Sequence, residues 1–301
     1  MKVLVIGAGA REHALCWKLA QEAEVFCAPG NPGIAGVATC VPIVQTEIGK
    51  LIEFARTSEI DLVVVGPENP LIAGMADAFR EQGFPCFGPG KAGAMLEASK
   101  SYSKALMRRA GVPTAEYQSF FDATACKEYC RKSFAEGKPV VVKASGNAMG
   151  KGVIVGDDYE ATAAGIDELV AMGEASRTML VETRLNGREF SLLTMVSDEG
   201  FKSLPIAQDF KRIFDGDKGP NTGGMGSYSP VGWVTDDMVA EAEAQAVMPI
   251  LNSLKEDGIQ YRGVLFSGMM GSHVLEYNVR FGDPEIQSVV MRLGNGFAKA
   301  L

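Results

Sequence analysis

Three polar side chains spaced two residues apart could do chemistry together near the end of this 301-residue chain: Glu276, Asn278 and Arg280. They lie in the segment Val274-Leu275-Glu276-Tyr277-Asn278-Val279-Arg280-Phe281-Gly282-Asp283-Pro284-Glu285. Alternation with the strand period puts Val274, Glu276, Asn278 and Arg280 on one face and Leu275, Tyr277 and Val279 on the other. One strand face then carries a carboxylate, an amide oxygen and a guanidinium. A hard cation such as Mg2+ takes oxygen ligands, usually only one or two of them from protein, and leaves the rest to water and phosphate. Glu276 and Asn278 suit that role, and Arg280 can grip a phosphate or carboxylate as a fork. An E-x-N-x-R strand is also what an edge facing water looks like, so the reading depends on what the rest of the chain supplies.

Phosphate-binding loops are what it supplies. Lys143 ends an apolar strand and is followed by Ala144-Ser145-Gly146-Asn147-Ala148-Met149-Gly150-Lys151-Gly152 before the strand Val153 to Val155. A glycine-rich loop with one lysine between two strands is a phosphate cover of the hairpin kind; it lacks the Lys-Ser/Thr at a helix start that a P-loop needs. A strand over 178–182 ends in Glu182 and leads through Leu185 to Glu189, an arrangement that can read an adenine by backbone groups and a ribose by a carboxylate. The segment from Asp209 through Lys211, Asn221 and Gly223 to Ser227 is too glycine-rich and charged for a core, and reads as a functional or disordered loop. Near the start, Gly7-Ala8-Gly9-Ala10-Arg11-Glu12 follows an apolar strand. It offers backbone N–H groups at a helix N-terminus, but Arg11 and Glu12 stand where a dinucleotide fingerprint has its third glycine, which counts against an NAD oxidoreductase.

Other chemistries are poorly supported. His13 and His273 are the only histidines, and the six cysteines contain no C-x-x-C, so zinc and Ser-His-Asp sites are not expected and reduced, mostly buried thiols are. A net charge of −8 argues against general nucleic-acid binding. No apolar run reaches the ~18 residues of a membrane span, and the first apolar run meets Arg11-Glu12-His13 without a signal-like cleavage segment.

The elements that must position these residues fall into blocks. Strand and helix alternate through residues 1–100, with Gly and Pro at the strand ends, which predicts a small parallel α/β domain. Its third strand leads through Gly66-Pro67-Glu68 into a helix over 71–81. A helix over 99–111 carries Lys100, Lys104, Arg108 and Arg109, of which three are expected on the surface, and residues 101–122 form a linking segment. Residues 123–189 predict a small α+β unit with helices over 122–134 and 157–172, and residues 190–301 a second α+β unit. In the latter Thr235 caps a helix reaching Leu254 with Met238, Ala242, Ala246, Ile250 and Leu254 inward, and two strands near 261–280 pair as a hairpin.

Taken together these stretches resemble the ATP-grasp superfamily, and within it the phosphoribosylamine–glycine ligases of purine synthesis. The likeness covers essentially the whole chain. Its most specific parts are Gly7 to Leu15, Val65-Gly66-Pro67-Glu68, Phe87-Gly88-Pro89, Lys143 with Gly150-Lys151-Gly152, Gly219-Pro220-Asn221-Thr222-Gly223-Gly224-Met225-Gly226, and Asn278 to Glu285. The resemblance implies an ATP-grasp fold of two α+β subdomains after the parallel-sheet domain, and a cytoplasmic, ATP- and Mg2+- (or Mn2+-) dependent ligase of glycine and 5-phosphoribosylamine. It implies that Lys104, Lys143 and Lys151, with Gly146, Gly150 and Gly152, contact ATP phosphates. Glu182, Leu185 and Glu189 would hold adenine and ribose, and Glu276 and Asn278 the metal. Arg280, Lys151 and Asp283 would be catalytic. Asp209, Lys211, Asn221 and Gly223 would face glycine and its acyl phosphate, and Gly9 and Arg11 would hold the phosphoribosylamine. Ser145, Thr183-Arg184, Phe210 and Ile286 depart from the family's usual residues. The family's chains continue with a further domain and are monomers when full length. Val289, Val290, Leu293 and Phe297 are therefore expected as an apolar surface that such a domain covers. An ATP-binding fragment without turnover, and a sister ligase for another small amino acid, are the alternatives.

Overall fold

The computed structural model describes residues 1–146, 152–216 and 218–301, so Gly150 and Lys151 lie outside the described residues. The first five strands are β1 (Lys2–Gly7), β2 (Glu24–Pro29), β3 (Thr39–Cys40), β4 (Leu62–Val65) and β5 (Cys86–Phe87), all parallel in the order β3-β2-β1-β4-β5. Between them run helices α1 (Ala10–Leu19), α2 (Ile48–Thr57), α3 (Glu68–Ile72) and α4 (Met75–Glu81). β1 and β4 are buried on both faces, as a parallel sheet with helices on each side requires. The single helix expected over 71–81 is instead two, because Gly74 takes a left-handed φ of 90° between α3 and α4.

Helix α5 (Lys91–Ala98) and helix α6 (Lys100–Ala110) meet at Ser99, whose hydroxyl accepts the Tyr102 N–H and caps α6. Gly111, at φ 70°, ends α6. A four-stranded sheet follows, built from β6 (Tyr117–Phe120), β7 (Val140–Ala144), β8 (Val153–Val155) and β9 (Met179–Thr183) in the order β6-β9-β7-β8. Helices α7 (Ala123–Ala135) and α8 (Tyr159–Ala171), capped by Asp122 and Asp158, cover one face. This unit has its own core around Cys126, Cys130, Val142, Ile166 and Val181.

The second antiparallel sheet has the order β11-β10-β16-β17, from β10 (Glu189–Ser197), β11 (Gly200–Ser203), β16 (Gly263–Met270) and β17 (His273–Asn278). Thr235 caps α9 (Asp236–Ala242), which runs through a π turn over Glu243–Val247 into α10 (Met248–Glu256). The inward residues recur every four positions, a spacing that drifts around an ordinary α-helix of 3.6 residues per turn. The wider π turn takes part of that drift back, and Ala242, Ala246, Ile250 and Leu254 are all buried. Core side chains of this sheet and of the first domain form continuous clusters, so those two parts are packed as one body while the β6–β9 unit stands on a separate core.

Three expectations are corrected here. The 209–227 segment is not an unpaired loop: β12 (Gln208–Asp209) pairs with β15 (Ser227–Tyr228), and β13 (Arg212–Phe214) with β14 (Lys218–Asn221), giving an antiparallel ribbon. The strict alternation of 274–280 fails at Leu275. The register passes from Gly268↔Glu276 to Met269↔Val274, so Leu275 is bulged out and Val274 joins Tyr277 and Val279 in the core. Finally, Val289, Val290 and Phe297 do not form a bare surface. They lie in α11 (Glu285–Val289), the turn after it and α12 (Phe297–Ala300), and are buried against Leu15 and Leu19 of α1, with Leu293 half-buried beside them. Lys18 donates to the Leu293 carbonyl at 2.7 Å and Glu22 accepts the Gly296 N–H at 2.8 Å, fastening this tail to α1 and the turn after it.

Candidate active site

The site lies where the β6–β9 unit meets the second sheet. Val141 stands opposite Glu182, so Lys143 and Glu182 share one face of the β7–β9 pair on a diagonal. Lys104 of α6 comes from the other side. Both ammonium groups lie on one oxygen of Glu182, at 3.0 Å from Lys104 Nζ and 3.1 Å from Lys143 Nζ, and all three residues are buried. Lys104 also donates to Thr114 Oγ1 at 2.6 Å, and Lys143 to the Leu275 carbonyl, which the bulge has turned out, at 3.1 Å. Among the described residues the other carboxylate oxygen of Glu182 has no hydrogen-bond partner. Two buried cations on one anion, with an acceptor left over, form a group whose charge and hydrogen bonding are both unfinished. The free volume among Leu96, Lys100, Lys104, Lys143, Glu182 and Glu276 is about 20 Å³, enough for about one water.

Burial pushes the Lys104 ammonium down to about 8, against the opposing pull of Glu182. An unfolded lysine keeps its proton to about 10.4. Between those values the folded chain binds fewer protons than the unfolded one, so this residue's contribution to stability rises with pH there and is flat below 8. A ligand rich in negative charge restores the proton. Calorimetry of ATP binding at pH 9 in buffers of different ionisation enthalpy is expected to show uptake of about one proton per nucleotide. Uptake that persists in Lys104→Met would assign the proton to another group.

Arg280 forms a second centre. Its guanidinium lies 3.2 Å from Glu97 Oε1 and 3.6 Å from Glu68 Oε2, 5.9 Å from the centre of the Phe266 ring, and donates to Asn278 Oδ1 at 3.3 Å. Its Nε, buried, is the atom that faces Glu68, and among the described residues it makes no hydrogen bond. Burial pushes the Glu97 carboxyl up, with Arg280 and the Val279 N–H, 2.7 Å from Glu97 Oε2, opposing it. Neither glutamate was singled out from sequence as an Arg280 partner. Glu68 lay inside a quoted motif, whereas Glu97 is a single carboxylate in a helix and gave no signal.

The third centre gathers Lys211, Glu189 and Asp209. Lys211 Nζ lies 2.6 Å from Glu189 Oε2, so Glu189 faces an ammonium at the start of β10. Burial pushes the Asp209 carboxyl up, and Glu285, which accepts from Ser191 Oγ at 3.1 Å, is pushed up by burial and by Asp209. Glu276 joins all three centres. Burial works against its charge, but Lys100, Lys143, Lys211 and Arg280 outweigh it and hold the carboxyl below its usual range.

Glu276 and Asn278 stand beyond the bulge, two residues apart on β17, and offer one carboxylate and one amide oxygen. That hard donor pair fits a divalent cation that draws its other ligands from phosphate and water. Among the described residues no three acidic, histidine or cysteine side chains are grouped to hold a metal by themselves.

The remaining sequence candidates are placed less centrally. Gly146 and Gly152 flank residues 147–151; the Gly146 N–H donates to Ala175 at 2.9 Å and the Gly152 carbonyl accepts from Ala144 at 2.8 Å. Leu185 is half-buried in the turn after β9. Asn221 sits opposite Arg212 in the ribbon and Gly223 faces open space. The ribbon is tied to the 281–285 segment by other residues: a Cβ on Gly224 would lie 2.4 Å from Pro284 Cδ, and Ser227 Oγ donates to the Pro284 carbonyl at 2.7 Å. Asp283 accepts from Gln287 at 2.6 Å and lies near Gly9, where a Cβ would be 3.8 Å from its Oδ2. Arg11 is not an open phosphate ligand. It is buried, paired with Glu12 Oε1 at 2.6 Å and donating to the Phe281 carbonyl at 3.3 Å.

Residues 1–97 match the Phosphoribosylglycinamide synthetase N domain, and residues 98–286 the ATP-grasp (A) domain of the same synthetase. The phosphoribosylamine–glycine ligase of Rhizobium meliloti is 45% identical over 302 residues, 97% of this chain and 71% of that protein. The Brucella melitensis ligase is also 45% identical, over 98% of this chain and 70% of its own. The crystal structure of the Thermotoga maritima ligase superposes with a TM-score of 0.82 at 34% identity, covering 99% of this chain and 73% of that one. Identity of this level, spread over a parallel-sheet domain and both halves of the cleft, places the chain in the phosphoribosylamine–glycine ligase family.

Proposed function

We propose that the chain joins glycine to 5-phosphoribosylamine at the expense of ATP, through glycyl phosphate, giving glycinamide ribonucleotide in purine synthesis. The observation that carries this reading is the meeting of Lys104, Lys143 and Glu182 with Glu276 and Asn278 across one cleft, with Arg280 beside Asn278. Lys104 and Lys143 exchange the Glu182 carboxylate for nucleotide phosphates. Glu276 and Asn278 would hold Mg2+, which when bound would supply charge neutralisation to the phosphates. Arg280 holds the oxyanion of the acyl phosphate, and Asp209, beside Lys211, receives the glycine ammonium. Gly7 to Gly9, facing Asp283, border the amine substrate. No side-chain nucleophile is needed, since placement and charge stabilisation suffice for such transfers. The test is ADP release from purified chain: it should require both glycine and freshly made 5-phosphoribosylamine. ADP release indifferent to both would overturn the reading.

Glu276→Gln isolates the metal part. It is expected to lower Mg2+-dependent turnover by about 10²-fold or more, while thermal stability measured with saturating ATP changes little, because the cations left around the removed charge are then neutralised by the ATP phosphates. An unchanged Mg2+ dependence in the variant would exclude Glu276 as a ligand.

A further inference from the structure

Three of the six cysteines meet in the first domain, behind the two turns at the carboxyl end of its sheet. Cys27 on β2 and Cys40 on β3 are register partners, and both pack into the cluster that contains Cys16. Register partners point to the same face. Neighbouring strands lie about 4.8 Å apart, inside the roughly 4.4–6.8 Å between Cα atoms that a disulfide spans. Cys16 and Cys27 are buried, whereas Cys40 is half-buried on a two-residue edge strand.

Both thiols of the register pair support the turns. Cys27 Sγ donates to the Gly7 carbonyl at 3.4 Å, and Cys40 Sγ to the Asn31 carbonyl at 3.6 Å. The same turns are stitched to each other: the Gly30 N–H donates to Gly7 at 3.1 Å and Asn31 Nδ2 to the Ala8 carbonyl at 2.9 Å. Gly30 has φ 73°, and a Cβ there would lie 2.5 Å from Cys40 Sγ, so the sulfur rests directly on the turn.

We propose that Cys27 and Cys40 form a reversible disulfide under peroxide, and that this bond loosens the Gly7–Gly9 and Gly30–Gly33 turns. The Cys40 sulfur, the one reachable from solvent, attacks hydrogen peroxide, breaking the O–O bond to give a sulfenic acid and one water. The Cys27 sulfur then displaces the hydroxyl from Cys40, forming S–S and releasing a second water. The two thiols lose two electrons and two protons, and the peroxide accepts them; a dithiol reductant returns them. Both S–H donors are consumed, so the Gly7 and Asn31 carbonyls lose those bonds. Cys16 stays a thiol: its hydrogen bond with Cys27 and its burial push its ionisation up.

The test treats the full chain with hydrogen peroxide, blocks free thiols, and maps disulfides by peptide mass spectrometry beside amide exchange. The expected result is a Cys27–Cys40 cross-link, with exchange at residues 7–9 and 30–33 faster by about tenfold or more, both undone by dithiothreitol. Cys40→Ser should show neither change. A cross-link at another pair, oxidation of Cys40 without a cross-link, or a cross-link that leaves both turns unchanged overturns the proposal. Ribose 5-phosphate, as a stable probe of the amine-substrate site, is expected to bind the reduced chain and not the oxidised one. That readout rests on the proposed function. Failure to bind the reduced chain counts against the sugar site, while the disulfide map and the exchange decide the redox proposal on their own.

Discussion

Glu182→Gln is expected to cost the nucleotide-free protein about 3–5 kcal/mol, the usual price of leaving a buried charge without its partner. Lys104 and Lys143 lie 3.0 and 3.1 Å from one Glu182 oxygen, and none of the three is open to water. With an amide in that place the two ammonium groups face each other across a space that holds about one water. Lys104, already pushed down to about 8 by burial, loses its main opposing anion and gives up its proton more readily. The loss should therefore shrink as pH rises towards 8, over the range where the variant's lysine has given up its proton and the wild-type lysine still holds it, and level off above 8, where both are neutral. ATP carries the charge that the variant lacks. Saturating nucleotide should thus raise the melting temperature of Glu182→Gln more than that of the wild type, in scanning calorimetry of both proteins with and without MgATP. A variant within 1 kcal/mol of wild type, or equal stabilisation of the two by nucleotide, would show that the carboxylate is not the counter-ion that phosphate replaces.

That exchange of partners explains why part of the site was legible in the sequence and part was not. Lys143, Glu276 and Asn278 sit on strands, and Arg280 two residues past the end of β17, in segments whose apolar alternation and flanking glycines are local signals; the structure brings the first three to one cleft with Arg280 beside it. Their present partners are not local. Glu182 reaches Lys104 across 78 residues of chain and Arg280 reaches Glu68 across more, and nothing in a helical carboxylate such as Glu97 announces that an arginine will lie on it. Fold class was readable for the same reason: parallel strands buried on both faces read as apolar runs, and capped helices begin at Ser99, Asp122, Asp158 and Thr235. The errors came where backbone geometry overrides pattern. One bulged residue, Leu275, moved Val274 to the other face, and glycine content hid a ribbon whose ladder is made by backbone groups alone. The buried tail is a third case: Val289, Val290 and Phe297 read as an apolar stripe, and only tertiary contact with α1 tells what covers it.

Arg280→Lys is expected to lower ligase turnover by about 10²–10³-fold, or about 2.7–4 kcal/mol of transition-state stabilisation, while changing ATP affinity only a few-fold. The guanidinium is held from two sides, by Glu97 at 3.2 Å and Glu68 at 3.6 Å, and lies over the Phe266 ring. These contacts fix the plane of the guanidinium, with Nε turned to Glu68, so the fork is held in a set direction for an oxyanion. Lysine keeps the charge but not the fork. Its single ammonium cannot stay on Glu97 and reach an acyl phosphate at the same time, and Glu97, whose carboxyl burial already pushes up, would keep it. The partners also come from different parts of the chain, Glu68 from the start of α3 after the β4 turn and Glu97 from α5, so the arginine is fastened to the domain whose Gly7–Gly9 turn faces Asp283. Loosening it should misplace the acyl phosphate relative to the incoming amine, and a displacement of about 1 Å is enough to cost 10²-fold. Steady-state kinetics separates the cases. The expected pattern is a fall in kcat with KM for ATP nearly unchanged, and Glu97→Gln should show a smaller fall of the same kind. If Arg280→Lys keeps turnover within about threefold of wild type but melts several degrees lower, then Arg280 joins the domains and takes no part in stabilising the acyl phosphate.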